Sequence, residues 1–296
     1  MKTGCGRGVI GRGECQLQDF VVPVAFLVFS TILSGCICAF GLPPSIAPKT
    51  MLDLHYTDAR LVALYEHDNP RGADYDFYLG LAQQLGAGKV VDLGCGTGLL
   101  ARELAAEGFE VTAADPARAM LEYGQRQPGA QRVEWVLGGA EALGAQGADL
   151  LVMTGNVAQV FLTDLDWGRA LRRMAKALKP DGMLAFESRN PVVRPWERWT
   201  RQNTHHQGQT PLGMVTSWLE VLRADGQSVT FTSHKVFEDH GEHVSWESTL
   251  RFRSHRELVV SLKEAGFEVR HTHGGWRREP FAEGRNATMV VVAQRM

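Results

Sequence analysis

The sequence predicts an α/β fold: a doubly wound parallel sheet of seven strands, with a small antiparallel sheet inserted late in the chain. Two patterns carry this. Short apolar runs alternate with helical periodicities from Val90 to Glu187, joined by short loops, which is the signature of strand-helix-strand winding. Three runs of alternating polarity then crowd between Met214 and Phe252, which reads as antiparallel strands. The composition agrees, since 296 residues that are 44% hydrophobic and 22% charged suffice for one large domain, or one domain with an insertion.

Residues 1 to 50 differ from the rest and are set apart from a main domain over 51 to 296. No charge occurs between Asp19 and Lys49, and the apolar run from Phe20 to Leu42 is long enough to span a bilayer. Lys2, Arg7 and Arg12 precede it, as in a signal sequence or an N-terminal anchor. Leu33-Ser34-Gly35-Cys36 has the form of a lipoprotein cleavage box. Three readings stay open: a start codon misplaced upstream of Met51, a cytosol-facing anchor, and an export signal.

From Met51 the chain reads helical through Leu54, Leu61, Leu64 and Tyr65, breaks at Asn69-Pro70-Arg71-Gly72, and resumes through Phe77, Leu81 and Leu85. Lys89 to Leu93 is a buried strand, and Leu99 to Ala105 opens a helix that ends by Gly108. Glu110 to Ala114 is the second strand, closed by Asp115, with Pro116 suited to a first helical position. Val133 to Leu137 and Asp149 to Met153 are the third and fourth strands. Thr163 or Asp164 caps a helix through Trp167, Leu171, Met174 and Leu178, and the turn Lys179-Pro180-Asp181-Gly182 leads into a fifth strand, Met183 to Glu187. The insertion spans 188 to 252, with turns at Asp225-Gly226 and His240-Gly241. Ser254 to Glu257 forms a capping box, Leu258 to Ala265 a last core helix, and Phe267 to His273 and Ala287 to Ala293 the closing strands.

The chemistry concentrates in Asp92-Leu93-Gly94-Cys95-Gly96-Thr97-Gly98. Glycines there allow a tight turn and close approach of a ligand to backbone N–H groups at a helix start. A dinucleotide fingerprint needs a third glycine three residues after the second, and counting from Gly96 that position is Leu99. The pattern instead resembles the first motif of class I S-adenosylmethionine (SAM) dependent methyltransferases, an acid followed by Gly-x-Gly-x-Gly. The resemblance runs from about Met51 to Met296 and implies a Rossmann-like methyltransferase sheet, SAM as cofactor, and methyl transfer to an O, N or C atom of a small molecule.

On that resemblance, Asp92, Gly94, Cys95, Gly96 and Gly98 line the cofactor. Asp115, about 20 residues past the glycines, is placed as an exposed carboxylate to accept hydrogen bonds from the ribose hydroxyls. Gly139 stands where relatives often carry an aspartate, leaving a backbone contact at Gly139 and Ala140. Asn156 lies beside the methyl group or shapes its turn, and Tyr65 belongs to a lid over the cofactor. His205 and His206 are the candidate bases by residue type, with Glu187, His67 and His273 behind them. The insertion, with Trp196, Trp199 and Trp218, is expected to cover the acceptor.

A net charge of -2 gives no electrostatic case for nucleic acid, and the five scattered cysteines suggest neither a disulfide scaffold nor zinc. A nicotinamide oxidoreductase would share the sheet and Asp115, but Leu99 argues against it. A SAM-binding regulator without catalysis stays open. SAM is made and used in the cytosol, so the protein is expected to be cytoplasmic, with membrane association only through residues 20 to 42. A chain beginning at Met51 is expected to stay soluble, folded and able to bind SAM, which gel filtration and titration calorimetry would check.

Overall fold

The computed structural model describes residues 53–296 apart from residue 146; the apolar run before Met51 lies outside the described residues. A short turn at Leu54–Tyr56 leads into helices α1 (Ala59–Asp68) and α2 (Ala73–Leu85). Strand β1 (Lys89–Leu93) is followed by α3 (Leu99–Ala106), β2 (Glu110–Asp115), α4 (Arg118–Gly124), β3 (Val133–Leu137), β4 (Ala148–Met153), α5 (Asp164–Ala177) and β5 (Leu178–Arg189). After α6 (Arg201–Thr204) come β6 (His206–Thr210), β7 (Gly213–Ala224), β8 (Ser228–Phe237) and β9 (Glu242–Arg251). The chain closes with α7 (His255–Glu264), β10 (Phe267–His273) and β11 (Thr288–Arg295).

The main sheet has seven strands in the order β10-β11-β5-β4-β1-β2-β3. β1 lies at its middle, paired in parallel with β2 and β4, so Val90 and Val91 are fully buried by helices on both faces. One face packs under α2 and α3, the other under α5 and α7. β11 runs antiparallel to both β5 and β10, so the closing strands end the parallel run of the sheet. Because β1 to β5 are parallel, their carboxyl ends and the loops after them gather along one edge, where ligands of such sheets bind.

Trp167 locks one face together. It is 1% exposed, its indole N–H donates to Ser261 of α7 at 2.8 Å, its ring meets Phe186 of β5, and the Arg253 guanidinium lies 5.3 Å over it.

Two details depart from the sequence reading. The turn Lys179 to Gly182 is a bulge inside a longer β5: Asp181 has φ +63°, and the pairing jumps from Leu178 opposite Ala148 to Met183 opposite Leu150. The insertion also has a fourth strand, β6, in a sheet ordered β6-β7-β8-β9. Its polar sequence, His206 to Thr210, carries no hydrophobic alternation, so the hairpin turn at Pro211-Leu212-Gly213 was the only local sign of it.

The inner face of this second sheet is apolar at Val215, Val229, Phe231, Phe237, Trp246 and Leu250. Trp196 and Trp199 pack there against Phe231 and Phe252. The N-terminal segment is clamped beneath it. Ser248 donates to Asp53, Arg60 pairs with Glu242 at 2.6 Å, and the buried Lys235 pairs with Asp68 at 2.9 Å. Arg102 of α3 pairs with Glu66, tying the same helix to the main domain. Trp167→Ala should cost about 3–5 kcal/mol, through a large core cavity, in the unfolding free energy measured with denaturant.

Candidate active site

Gly94, Gly96 and Gly98 all have positive φ (75°, 57° and 70°), turning the chain sharply between β1 and α3. At all three a side chain would collide with a neighbour, Gly98 against the Trp135 ring. A Cβ on Gly94 would meet Val157 at 2.5 Å, and one on Gly96 would meet the Tyr65 ring at 3.2 Å. The loop is fastened to β2 by Asp115, whose Oδ2 accepts from the Gly96 N–H at 2.9 Å while Oδ1 accepts from the Ala117 N–H at 2.8 Å.

Asp115 is therefore buried, at 7% exposure, which corrects the expectation of an exposed carboxylate. The loop after β1 and the turn before α4 both fold onto it to bond their own N–H groups. The α4 N-cap is Ala117, so Asp115 braces the turn before the helix. Burial pushes its carboxyl up to about 6, against the pull of the two backbone N–H bonds.

Asp92, at the end of β1, is 1% exposed, and neither carboxylate oxygen has a partner. Burial raises it to about 7, reinforced by the charges of Asp115 and Glu187. Glu187, near the end of β5, is 3% exposed and accepts from the Tyr78 hydroxyl and the Asn156 N–H. Burial lifts it to about 7, opposed by those two bonds and assisted by Asp74. Three acids thus stand in a row across the ends of β2, β1 and β5. Among the described residues no lysine or arginine forms an ion pair with Asp92 or Asp115. Uncompensated buried carboxylates at one edge suit a cationic ligand. SAM carries a sulfonium and an ammonium, and the glycine cradle beside this row suits its close approach, so these residues fit it.

Two cavities meet here. A narrow one of about 20 Å³ touches Tyr56, Gly96, Asp115 and Val157, and a large one of about 650 Å³ extends beneath the second sheet. Tyr65, Gly94, Thr154 and Gly155 line both, so the row of acids sits beside their junction. The narrow cavity has room for about one water. Loading a nucleoside there displaces Tyr56 and Tyr65 of the N-terminal segment or Val157.

The expected site residues fall out as follows. Tyr65 lies over Gly96, and Cys95 lines the large cavity with its thiol pushed well up by burial. Asn156, at φ +63°, both shapes the turn after β4 and lines the cavity. Ala140 is buried in a short turn after β3. Gly139 donates its N–H to Glu141 Oε1 at 2.8 Å, and a Cβ there would meet Glu141 Oε2 at 2.8 Å. Glu141 thus returns a carboxylate to the place where an aspartate at 139 would begin.

His205 and His206 are exposed at the cavity rim, and His67 also borders it. His273 is not among the lining residues; it packs on Phe77 instead. Trp218 borders the cavity and stacks on His234 at 4.6 Å, while Trp196 and Trp199 belong to the core of the second sheet and do not line the cavity. Other lining residues came without any local sequence signal: His55, Asp74, Tyr75, Lys235, Trp246 and Trp276. His55 is 6% exposed with both ring nitrogens unpartnered, and burial with the nearby Lys235 charge holds it down to about 3, so it is neutral.

A parallel sheet with a glycine cradle and a cation-complementary row of acids at its carboxyl edge defines a ligand-binding α/β domain of the nucleotide type. Residues 90–182 match the family model described as a methyltransferase domain. Mouse glycine N-methyltransferase is 32% identical over 173 residues, covering 52% of this chain and 56% of the relative. The chain thus spans about half the length of the curated relatives it first matches. The methyltransferase CcbJ from Streptomyces caelestis shares the fold with a TM-score of 0.65 at 22% identity, over 77% of this chain and 98% of that one. The sugar N-methyltransferase KedS8 from Streptoalloteichus does so with a TM-score of 0.62 at 16% identity, over 90% and 100%. Over residues 90–182 the chain thus resembles methyltransferase domains, on a fold shared with methyltransferases of solved structure.

The raised acids set a pH dependence. Asp92 at about 7, Asp115 at about 6 and Glu187 at about 7 hold protons in the native state that an unfolded chain would release near pH 4. The folded protein binds more protons in that window, so the unliganded melting temperature should fall as pH rises from about 5 to 7.5. Asp92→Asn should flatten the fall. SAM affinity should rise over the same range, as ionised acids meet a cation; paired melting and calorimetric series would check both.

Proposed function

We propose that the protein transfers the methyl group of SAM to a small-molecule acceptor held in the 650 Å³ cavity beneath the second sheet. The observation that carries this reading is the junction of the two cavities at Gly94, Thr154 and Gly155. A cofactor laid along the glycine loop would present one end there, and an acceptor in the large cavity would reach the same point. The large cavity falls within the usual range for small-molecule sites, about 300–1,000 Å³.

When bound, SAM supplies a methyl group already activated by its sulfonium. What the chain must do is hold, orient and exclude water. Asp115, the backbone at Gly96, Met120 packed against that glycine, and the turn at Ala140 and Glu141 would hold the nucleoside end. Asp92 balances the cationic end. The N-terminal segment, closed by its ties to the second sheet, excludes water, and alignment of the reacting atoms can supply about 7–11 kcal/mol at best. Residues 188–252 cover the acceptor and set its specificity. Glycine and sugar acceptors in the names of relatives support a small polar molecule. We place the reaction in the cytosol, where SAM is made; no described helix is long and apolar enough to cross a membrane.

Calorimetry should show SAM binding and no NAD binding, and radiolabelled SAM should pass its methyl into the small-molecule fraction of a cell extract. Asp115→Ala should weaken SAM binding by about 1.5–3 kcal/mol, the worth of hydrogen bonds to a charged group. Undiminished affinity in that variant, or label found only in protein, would overturn the assignment.

A further inference from the structure

We propose that the acceptor is a small amine, taken up as its ammonium form, and that Glu187 is the catalytic residue that receives its proton. This rests on the methyltransferase reading and names its substrate class.

The position of Glu187 comes first. It lines the acceptor cavity, and its carboxylate is bonded to the N–H of Asn156, one residue beyond the Thr154-Gly155 junction with the cofactor groove. The cavity around it is built for a cation. Asp74 lines the same wall, its carboxyl raised by burial, and Tyr75 and Trp276 add aromatic faces that attract ammonium groups. His55 also lines the cavity, nine-tenths buried with both nitrogens unpartnered, and so has bonding capacity left for a polar ligand.

The groups facing Glu187 are Tyr78 and Asp74 from α2, the Asn156 N–H after β4 and Asp92 from β1, and Arg189 lines the same cavity from further along β5. The Arg189 guanidinium is turned to Gln159 at 3.0 Å and lies 5.6 Å from the Trp199 ring. Tyr78 donates to the carboxylate and holds its affinity for protons down, whereas burial and the Asp74 charge raise it.

The magnitude selects the acceptor atom. With Glu187 at about 7, an alkyl ammonium of lysine-like pKa, about 10.4, can hand over its proton across roughly three pKa units. A hydroxyl of water-like acidity, about 15.7, would have to cross roughly nine. Glu187 takes one proton from the ammonium. The freed lone pair forms the N–CH₃ bond as the S–CH₃ bond breaks, with that electron pair staying on sulfur. The proton then leaves Glu187 for water. The exposed His205 and His206 have no comparable place at the junction.

The test uses the full chain, radiolabelled SAM and the small-molecule fraction of a cell extract, with products analysed by mass spectrometry for the methylated atom. The expected product is an N-methyl amine. Glu187→Gln, an isosteric change, should cut turnover at saturating SAM by about 100-fold or more, in the range of lost acid-base catalysis and well beyond any loss of SAM affinity. Tyr78→Phe removes a donor to the carboxylate, so the acid limb of its kcat/KM profile should move to higher pH. An O- or C-methyl product, a Glu187→Gln variant at the wild-type rate, or an unmoved limb in Tyr78→Phe overturns the inference and leaves the methyltransferase reading standing. Bound SAM with no labelled product overturns that reading as well.

Discussion

Three carboxylates, Asp115, Asp92 and Glu187, sit buried across the ends of three strands, and the architecture of the site depends on them. Buried charge is costly, and here it is only partly met by hydrogen bonds: two backbone N–H groups for Asp115, a hydroxyl and an N–H for Glu187, nothing for Asp92. The fold tolerates this because β1 lies at the middle of the main sheet, with apolar helices packed over both faces. Stability made elsewhere, in clusters such as that around Trp167, offsets strain concentrated at the ligand edge. A cation arriving there meets charge already desolvated and oriented, which is how preorganised electrostatics favour binding and catalysis.

The second sheet and the N-terminal segment act on that edge together. α1 is tied upward to the second sheet through Lys235 and Glu242 and downward through Arg102, and Ser248 holds Asp53 ahead of the helix. Tyr65, carried on α1, then lies over Gly96 and separates the narrow groove from the wide cavity. With the groove closed to about one water's volume, cofactor entry and closure of this segment are coupled. The same ties hold the second sheet over the wide cavity, which stays open to solvent at the rim formed by His205 and His206.

Chemically, the site divides its labour by depth. Asp92 and Asp115 lie at the glycine turn and the turn before α4, whereas Glu187 reaches the wide cavity beside the turn after β4. Tyr78 links that function to α2, a helix whose sequence shows only ordinary amphipathic spacing.

The sequence by itself determined the parallel sheet, its element order and the glycine cradle, because these follow from local periodicity and from conformations only glycine adopts readily. It also marked Asp92 and Asp115 by their spacing. Only the tertiary structure decided that Asp115 is buried, since that depends on two loops folding back onto it. Likewise the polar β6 became a strand only through pairing with β7. Glu141 accepts from the Gly139 N–H only because its side chain folds back over two residues. His55, Asp74 and Trp276 come to one cavity from segments far apart in the chain, and no local pattern encodes a meeting set by long-range packing.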